Sequence, residues 1–135
     1  MAVLNWDSSL SVKIDSIDEE HKELIRIINE FYDNLRKSTN NELIISLIGG
    51  LKAYTITHFK TEENYMEQFK YPDYELHKKE HDDFIFKVSA LEKKISEGKT
   101  IVSFEVTSYI KDWIKNHIQK SDKKYSDFFI SNGIK

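Results

Sequence analysis

One proline and four glycines are the only strong helix breakers in 135 residues. Such sparse punctuation favours long helices over many short strands. Four stretches repeat apolar residues at three- and four-residue steps, the spacing of one helix face. The first spans about residues 18–37, with Leu24, Ile25, Ile28, Phe31, Tyr32 and Leu35 on that face and Ser16 to Glu19 ahead of it in the form of a capping box. The second spans about residues 41–69 through Leu47, Leu51, Tyr54, His58, Glu62, Tyr65 and Phe69, with Gly49-Gly50 inside it as a weak spot or a close helix contact, before Tyr71-Pro72-Asp73 breaks it. The third spans about residues 74–97, carries His77, His81, Phe84, Val88, Leu91 and Ile95, and meets Gly98 as its stop. The fourth spans about residues 102–120 with Val106, Ile110, Trp113, Ile114, His117 and Ile118 inward, and Tyr125, Phe128 and Phe129 predict a last helical segment.

Connections of about two to eight residues make successive helices antiparallel neighbours. The expected fold is therefore all-α: an up-down-up-down antiparallel four-helix bundle with an extended N-terminal arm. One domain covers residues 1–135, with the arm at 1–17 and the bundle and C-terminal segment at 18–131. Trp6, Leu10, Val12 and Ile14 are expected to pin the arm to the bundle.

Composition narrows the function classes. Hydrophobic residues make up 39% and charged residues 32%, which suits a soluble globular chain. A net charge of -3 gives no electrostatic footprint for nucleic acid or an anionic membrane. The absence of cysteine excludes disulfides, iron–sulfur clusters and thiolate zinc sites, and agrees with the cytoplasm as the expected location. The first ten residues lack the features of a secretion signal, and no apolar run is long enough to span a bilayer.

The five histidines are the chemical signal. His58 precedes Glu62 by four residues, and His77 precedes His81 by four. A four-residue step turns a helix by about 400°, so each pair points one way from one helix. His117 precedes Asp122 by five, an offset near 140° in an ideal helix, so Asp122 reaches the same place only where the helix ends or unwinds around Ser121. His21 stands alone on the first helix. All these residues share stripes with the core, and inward-facing imidazoles need partners. Converging on the bundle axis, they parallel the di-metal sites built inside helix bundles. Two six-coordinate metals offer about twelve positions; five imidazoles, two bridging carboxylates and one oxide or hydroxide bridge fill about eleven, leaving about one open. Taken singly, each motif has an ordinary reading: a surface or capping histidine, a chance H-x-x-x-H, a solvated acid. A mononuclear zinc site is a further alternative, although zinc usually takes fewer ligands in a closed tetrahedron.

In order along the chain stand His21, H-F-K-T-E-E at 58–63, Tyr71-Pro72, H-K-K-E-H at 77–81 and W-I-K-N-H-I-Q-K-S-D at 113–122. This ordered set resembles the hemerythrin family, of the small bacterial type, over nearly the whole chain. The resemblance implies two irons joined by an oxo or hydroxo bridge. His77, His81 and His117 would hold one iron, His21 and His58 the other, and Glu62 and Asp122 would bridge them. It also implies reversible O2 binding at the open iron for oxygen storage, transport or delivery, not enzymatic turnover. Leu24, Phe59, Trp113, Ile114 and Ile118 would form a dry O2 pocket with no proton-donating side chain. In many relatives a glycine is expected near Lys13, so the arm departs from the family there. The alternatives are oxygen or redox sensing through a partner, or a di-iron enzyme consuming O2, peroxide or nitric oxide. The expected ligand is O2, with no nucleic acid, no membrane and a monomeric chain.

Overall fold

The computed structural model describes residues 4–37, 41–97 and 103–134. Helix α1 runs Asp15–Lys37, α2 Asn41–Gln68, α3 Tyr74–Ser96 and α4 Ser103–Asn116. A single π-helical segment, His117–Asp122, continues α4 without a break into α5, Lys123–Ser131. These elements form the expected antiparallel up-down-up-down bundle, with no strand among the described residues. Helix α1 packs on α2 and α4, and α2 packs on α3. Phe84 of α3 stacks on Trp113 of α4 at 4.4 Å between ring centroids, which completes the ring of helices.

Helix α1 begins three residues earlier than the periodicity predicts, at Asp15. Ser16 therefore lies inside the first turn and is not the cap. Asp15 and Asp18 occupy that turn, where carboxylates complement the helix dipole. Asp18 also reaches back to the arm, accepting from the Val12 amide at 2.9 Å and the Ser11 hydroxyl at 2.6 Å. The arm is not extended throughout, since Ser8–Leu10 form a 3-10 turn whose first amide bonds are organised by Asp7. Besides Asp18, three further places stitch it to the bundle. Leu4 exchanges two hydrogen bonds with the Asn29 amide, Ser9 accepts from Gln119, and the Val12 carbonyl accepts from Ser126. Leu10, Val12 and Ile14 are buried, as predicted.

Helix α2 passes straight through Gly49-Gly50. A Cβ at Gly50 would meet nothing within 4 Å, and one at Gly49 would make an ordinary contact with Glu92. No close helix approach requires these glycines, so the pair is a weak spot in helix propensity. The helix stops at a left-handed Lys70, with φ 57°, where the Tyr71 amide returns to the Met66 carbonyl at 2.8 Å. That is a Schellman stop, and Pro72 follows it as such stops favour. Gly98 and the side chains of Leu35 and Val106 lie outside the described residues.

Apolar packing divides into two clusters. One contains Leu24, Ile25, Ile28, Phe31, Leu51, Phe59, Phe84, Val88, Ile114 and Ile118. The other contains Val12, Ile14, Ile17, Met66, Tyr71, Tyr125 and Phe129. On α1 the order is Ile17, His21, Leu24; on α2 it is Phe59, Glu62, Met66. On the last helix it is Ile118, Asp122, Tyr125. The polar residues thus occupy a layer between two apolar ones, dry on both sides.

Candidate metal centre

The seven residues singled out from sequence meet in that layer, each at most 4% exposed. Ordinary α-helical geometry brings His58 and Glu62 into line on α2, and His77 and His81 on α3. Asp122 arrives differently. In the π segment, hydrogen bonds run from residue i to i+5, so residues five apart stand one above the other. The helix neither ends nor unwinds at Ser121; it widens for one turn. Asp122 Oδ1 then lies 3.0 Å from His117 Nε2.

The two carboxylates divide the imidazoles into two sets. Glu62 Oε1 and Asp122 Oδ1 face His77, His81 and His117. His81 Nε2 is 3.2 Å from Glu62 Oε1, and His77 Nε2 is 2.9 Å from Asp122 Oδ1. The opposite oxygens face His21 and His58. His21 Nε2 is 3.1 Å from Asp122 Oδ2, and both His21 and His58 place Nε2 at 3.5 Å from Glu62 Oε2. Two ligand-atom groups result, with Glu62 and Asp122 common to both.

Several of these atoms lack ordinary hydrogen-bond partners. His21 Nε2, His77 Nε2, Glu62 Oε1 and both Asp122 oxygens are buried without one among the described residues. His81 Nε2 and His117 Nε2 approach each other to 2.9 Å. Buried donors and acceptors left this way are costly. Nitrogen and oxygen atoms converging in two adjacent groups, with no thiolate, form a donor set that first-row metal ions fit. The residues present therefore suit a pair of metal ions.

Electrostatics in the metal-free chain agree. Burial pushes an imidazole toward its neutral form, but here the carboxylates prevail. His58 is raised to about 10, against burial, by Glu62 and its bond to Glu20. His117 is raised to about 10 by Asp122 and Glu80, and His77 to about 9 by Asp122 and Glu62. His21 is raised as well, again against burial, by Asp122 and Glu62. Burial alone would lift Glu62 and Asp122, but the surrounding imidazoles hold both well below the usual carboxylate range. In the metal-free chain the two carboxylates are thus charged, and His21, His58, His77 and His117 are favoured in their protonated forms, places that metal ions would take over.

A second layer of residues was not foreseen from sequence. Glu20 Oε1 accepts from His58 Nδ1 at 2.7 Å, Glu63 Oε2 from His81 Nδ1 at 2.8 Å, and Glu80 Oε1 from His117 Nδ1 at 3.0 Å. Ser121 also donates to Glu80, at 2.6 Å. Each of these glutamates adjoins a member of the central seven in sequence, and that adjacency was the available signal. Tyr125, read from sequence as part of an apolar tail, instead donates its hydroxyl to Glu62 Oε2. It lies in the other apolar cluster, apart from the five residues expected to line the O2 pocket. Burial, with Asp122 and Glu62 nearby, pushes the Tyr125 phenol well above its ordinary range, so it stays protonated.

The five residues expected to line an O2 pocket all lie in the cluster of apolar residues on one side of the site. Leu24, Phe59, Ile114 and Ile118 are buried, and Trp113 is partly buried. Phe59 stacks on the His81 ring at 3.7 Å, and Trp113 on the His117 ring at 4.5 Å. Both aromatics thus rest against the three-histidine set.

Fold and cluster together define a helix-bundle protein whose buried histidines and shared carboxylates can hold metal. Residues 12–128 match the family model of the hemerythrin HHE cation binding domain, and the chain belongs to the hemerythrin family. It is 32% identical to a bacteriohemerythrin of Methylococcus capsulatus, over 93% of this chain and 95% of that one. Against a bacteriohemerythrin of Clostridium acetobutylicum the identity is 34%, over 90% and 98% of the two chains. Myohemerythrin-1 of Phascolopsis gouldii is 32% identical over 89% of each chain. A crystal structure of wild-type hemerythrin is similar at a TM-score of 0.87 and 31% identity, covering 93% of this chain and 97% of that one. Among the described residues no helix is long and apolar enough to cross a membrane.

Proposed function

We propose that this protein binds O2 reversibly at two iron ions held between the four helices, and serves oxygen storage, transport or delivery. The observation that carries the reading is the unequal division of imidazoles by two shared carboxylates. His77, His81 and His117 would hold one iron and His21 and His58 the other, with Glu62 and Asp122 bridging. The two-histidine side is one nitrogen ligand short of its neighbour, which is where an exogenous ligand finds room. When bound, the iron pair supplies the electrons that O2 accepts on binding and returns on release.

The chain's own residues would do the rest. Glu20, Glu63 and Glu80 accept the Nδ1 protons of His58, His81 and His117 and so aim each Nε2 at the centre. Leu24, Phe59, Ile114 and Ile118, all buried, exclude water from the layer above. Tyr125 holds its proton against Glu62 Oε2, which orients that carboxylate. Family membership supports the same reading, since the relatives are named hemerythrins.

The test is anaerobic loading of the metal-free chain with Fe2+, then exposure to O2, then removal of O2. About two irons per chain and a visible charge-transfer band that appears and disappears with O2 are expected. A chain that binds no iron, or whose spectrum never reverses, would contradict the proposal. Steady consumption of O2 or peroxide would point to an enzyme instead.

A further inference from the structure

Three of the five imidazoles are braced from the neighbouring helix, and the braces follow one pattern. Glu20 on α1, beside His21, holds His58 of α2. Glu63 on α2, beside Glu62, holds His81 of α3. Glu80 on α3, beside His81, holds His117 at the end of α4. Each helix supplies the acceptor for a histidine on the next, around the bundle. The step that would close this ring is an acceptor for His21 of α1. His21 Nδ1 is buried and has no hydrogen-bond partner among the described residues.

This matters because all five Nε2 atoms face the shared carboxylates. Ligation through Nε2 leaves the imidazole proton on Nδ1. For His58, His81 and His117 a carboxylate receives that proton, which fixes the ring and raises the basicity of the ligating nitrogen. For His21 the proton is buried with no acceptor among the described residues, and a buried donor left unmade opposes ligation.

Resting on the reading that the cluster holds two metal ions, we infer that His21 is the weak ligand of the centre. The ion between His21 and His58 enters last and leaves first. It is held chiefly from the His58 side, and Glu20 is the positioning residue that makes this so. The number of ligands alone predicts a weaker second ion too, but it makes His21 and His58 equivalent. The bracing pattern makes them unequal.

The test titrates the metal-free, full-length chain with Fe2+ under argon and, separately, with Co2+, reading stoichiometry and the affinity of each step by calorimetry. Two ions are expected, the second weaker. His21→Ala should weaken the second step less than His58→Ala does. Glu20→Ala should weaken the second step about 10- to 100-fold and leave the first unchanged. Glu20→Gln, which keeps an acceptor, should recover part of that loss. Equal losses from His21→Ala and His58→Ala, or no loss from Glu20→Ala, overturn the inference. Should either histidine variant lose its helical circular dichroism, the Glu20 pair decides alone, since that side chain is 31% exposed and tolerates truncation. A wild-type chain that takes up one ion or none overturns the two-metal reading beneath it.

Discussion

Asp122 stands five residues beyond His117, and one π-helical turn sets its Oδ1 3.0 Å from the Nε2 of that histidine. The same carboxylate reaches His77 at 2.9 Å and, through Oδ2, His21 at 3.1 Å. It is a single buried charge answering imidazoles from three helices. Asp122→Asn keeps the shape and removes the charge. In the metal-free chain this leaves buried imidazoles without their counter-charge, a loss of about 3–5 kcal/mol. Urea unfolding at pH 7 should show it, with metal stoichiometry falling below two in the same variant. Unchanged unfolding and full loading would show that Asp122 is not the hub of the cluster.

The metal-free chain should have a narrow pH optimum that metal widens. Unfolded histidines titrate near about 6.5, whereas folded His58, His77 and His117 titrate at about 10, 9 and 10. Their contribution is complete below about pH 6.5 and is lost as pH rises through about 9 to 10. Glu62 and Asp122 are depressed, so their contribution is present above about pH 4 and is lost as pH falls toward their folded values. The melting temperature of metal-free protein should therefore peak between about pH 4.5 and 6.5 and decline toward pH 10. Loading at pH 7 must displace imidazole protons, so calorimetric heats should differ between buffers of different ionisation enthalpy. A flat melting profile, or no proton release, would contradict these assignments.

The central residues were legible in sequence because they share helix stripes with the core. His58/Glu62 and His77/His81 follow from the 3.6-residue repeat alone. Asp122 was the exception, because a five-residue offset has two physical solutions. A helix can end, or it can widen by one residue and continue, and the polar run from Gln119 to Lys124 allows both. Buried Tyr125 and Phe129 decide for continuation, since α5 must keep them against Val12, Ile14 and Met66. The bracing glutamates adjoin central residues in sequence, but that adjacency alone does not single them out. Glu20, Glu63 and Glu80 belong to a charged helix surface, and which of many acids faces a histidine on the next helix depends on packing, not on spacing. The start of α1 was missed because Ser16 to Glu19 imitates a cap while Asp15 and Asp18 already fill the first turn.

Two lysines hold backbone conformations that suit glycine. Lys13 has φ 61° and Lys70 has φ 57°, both in the left-handed region. The first lies at the point in the arm where a glycine was expected, and the second at the Schellman stop of α2. A side chain there costs about 1 kcal/mol or somewhat more. Lys13→Gly and Lys70→Gly should each raise stability by about 1 kcal/mol, less what glycine adds to the entropy of the unfolded chain. The two lysines sit in separate turns, one in the arm and one after α2, so the gains should add. Urea midpoints measure both, and a loss at either position would refute the strain.

Ile118 is 2% exposed and follows His117 directly. It belongs to the apolar layer proposed to keep water from bound O2. Ile118→Gln places a polar group there and draws water with it. The half-life of the oxygenated form should shorten severalfold, read as decay of the charge-transfer band in air, while iron stoichiometry stays at the wild-type value. An unchanged half-life would move the pocket elsewhere.

Tyr125 is fully buried, stacks on Phe129 at 4.3 Å and donates its hydroxyl to Glu62 Oε2, the oxygen that faces His21 and His58. Tyr125→Phe preserves the ring and the stacking and removes one charge-assisted hydrogen bond to a buried carboxylate. In the metal-free chain that bond contributes about 1.5–3 kcal/mol, as a hydrogen bond to a charged group does. With metal loaded, Glu62 would be answered by the ions as well, so the same substitution should destabilise less. The difference between the metal-free and loaded losses, taken from thermal unfolding of both forms of both proteins, is the informative quantity. A loss equal in the two forms would mean that the hydroxyl supports the fold alone. A larger loss in the metal-free form would mean that Tyr125 holds Glu62 in place before the metal arrives.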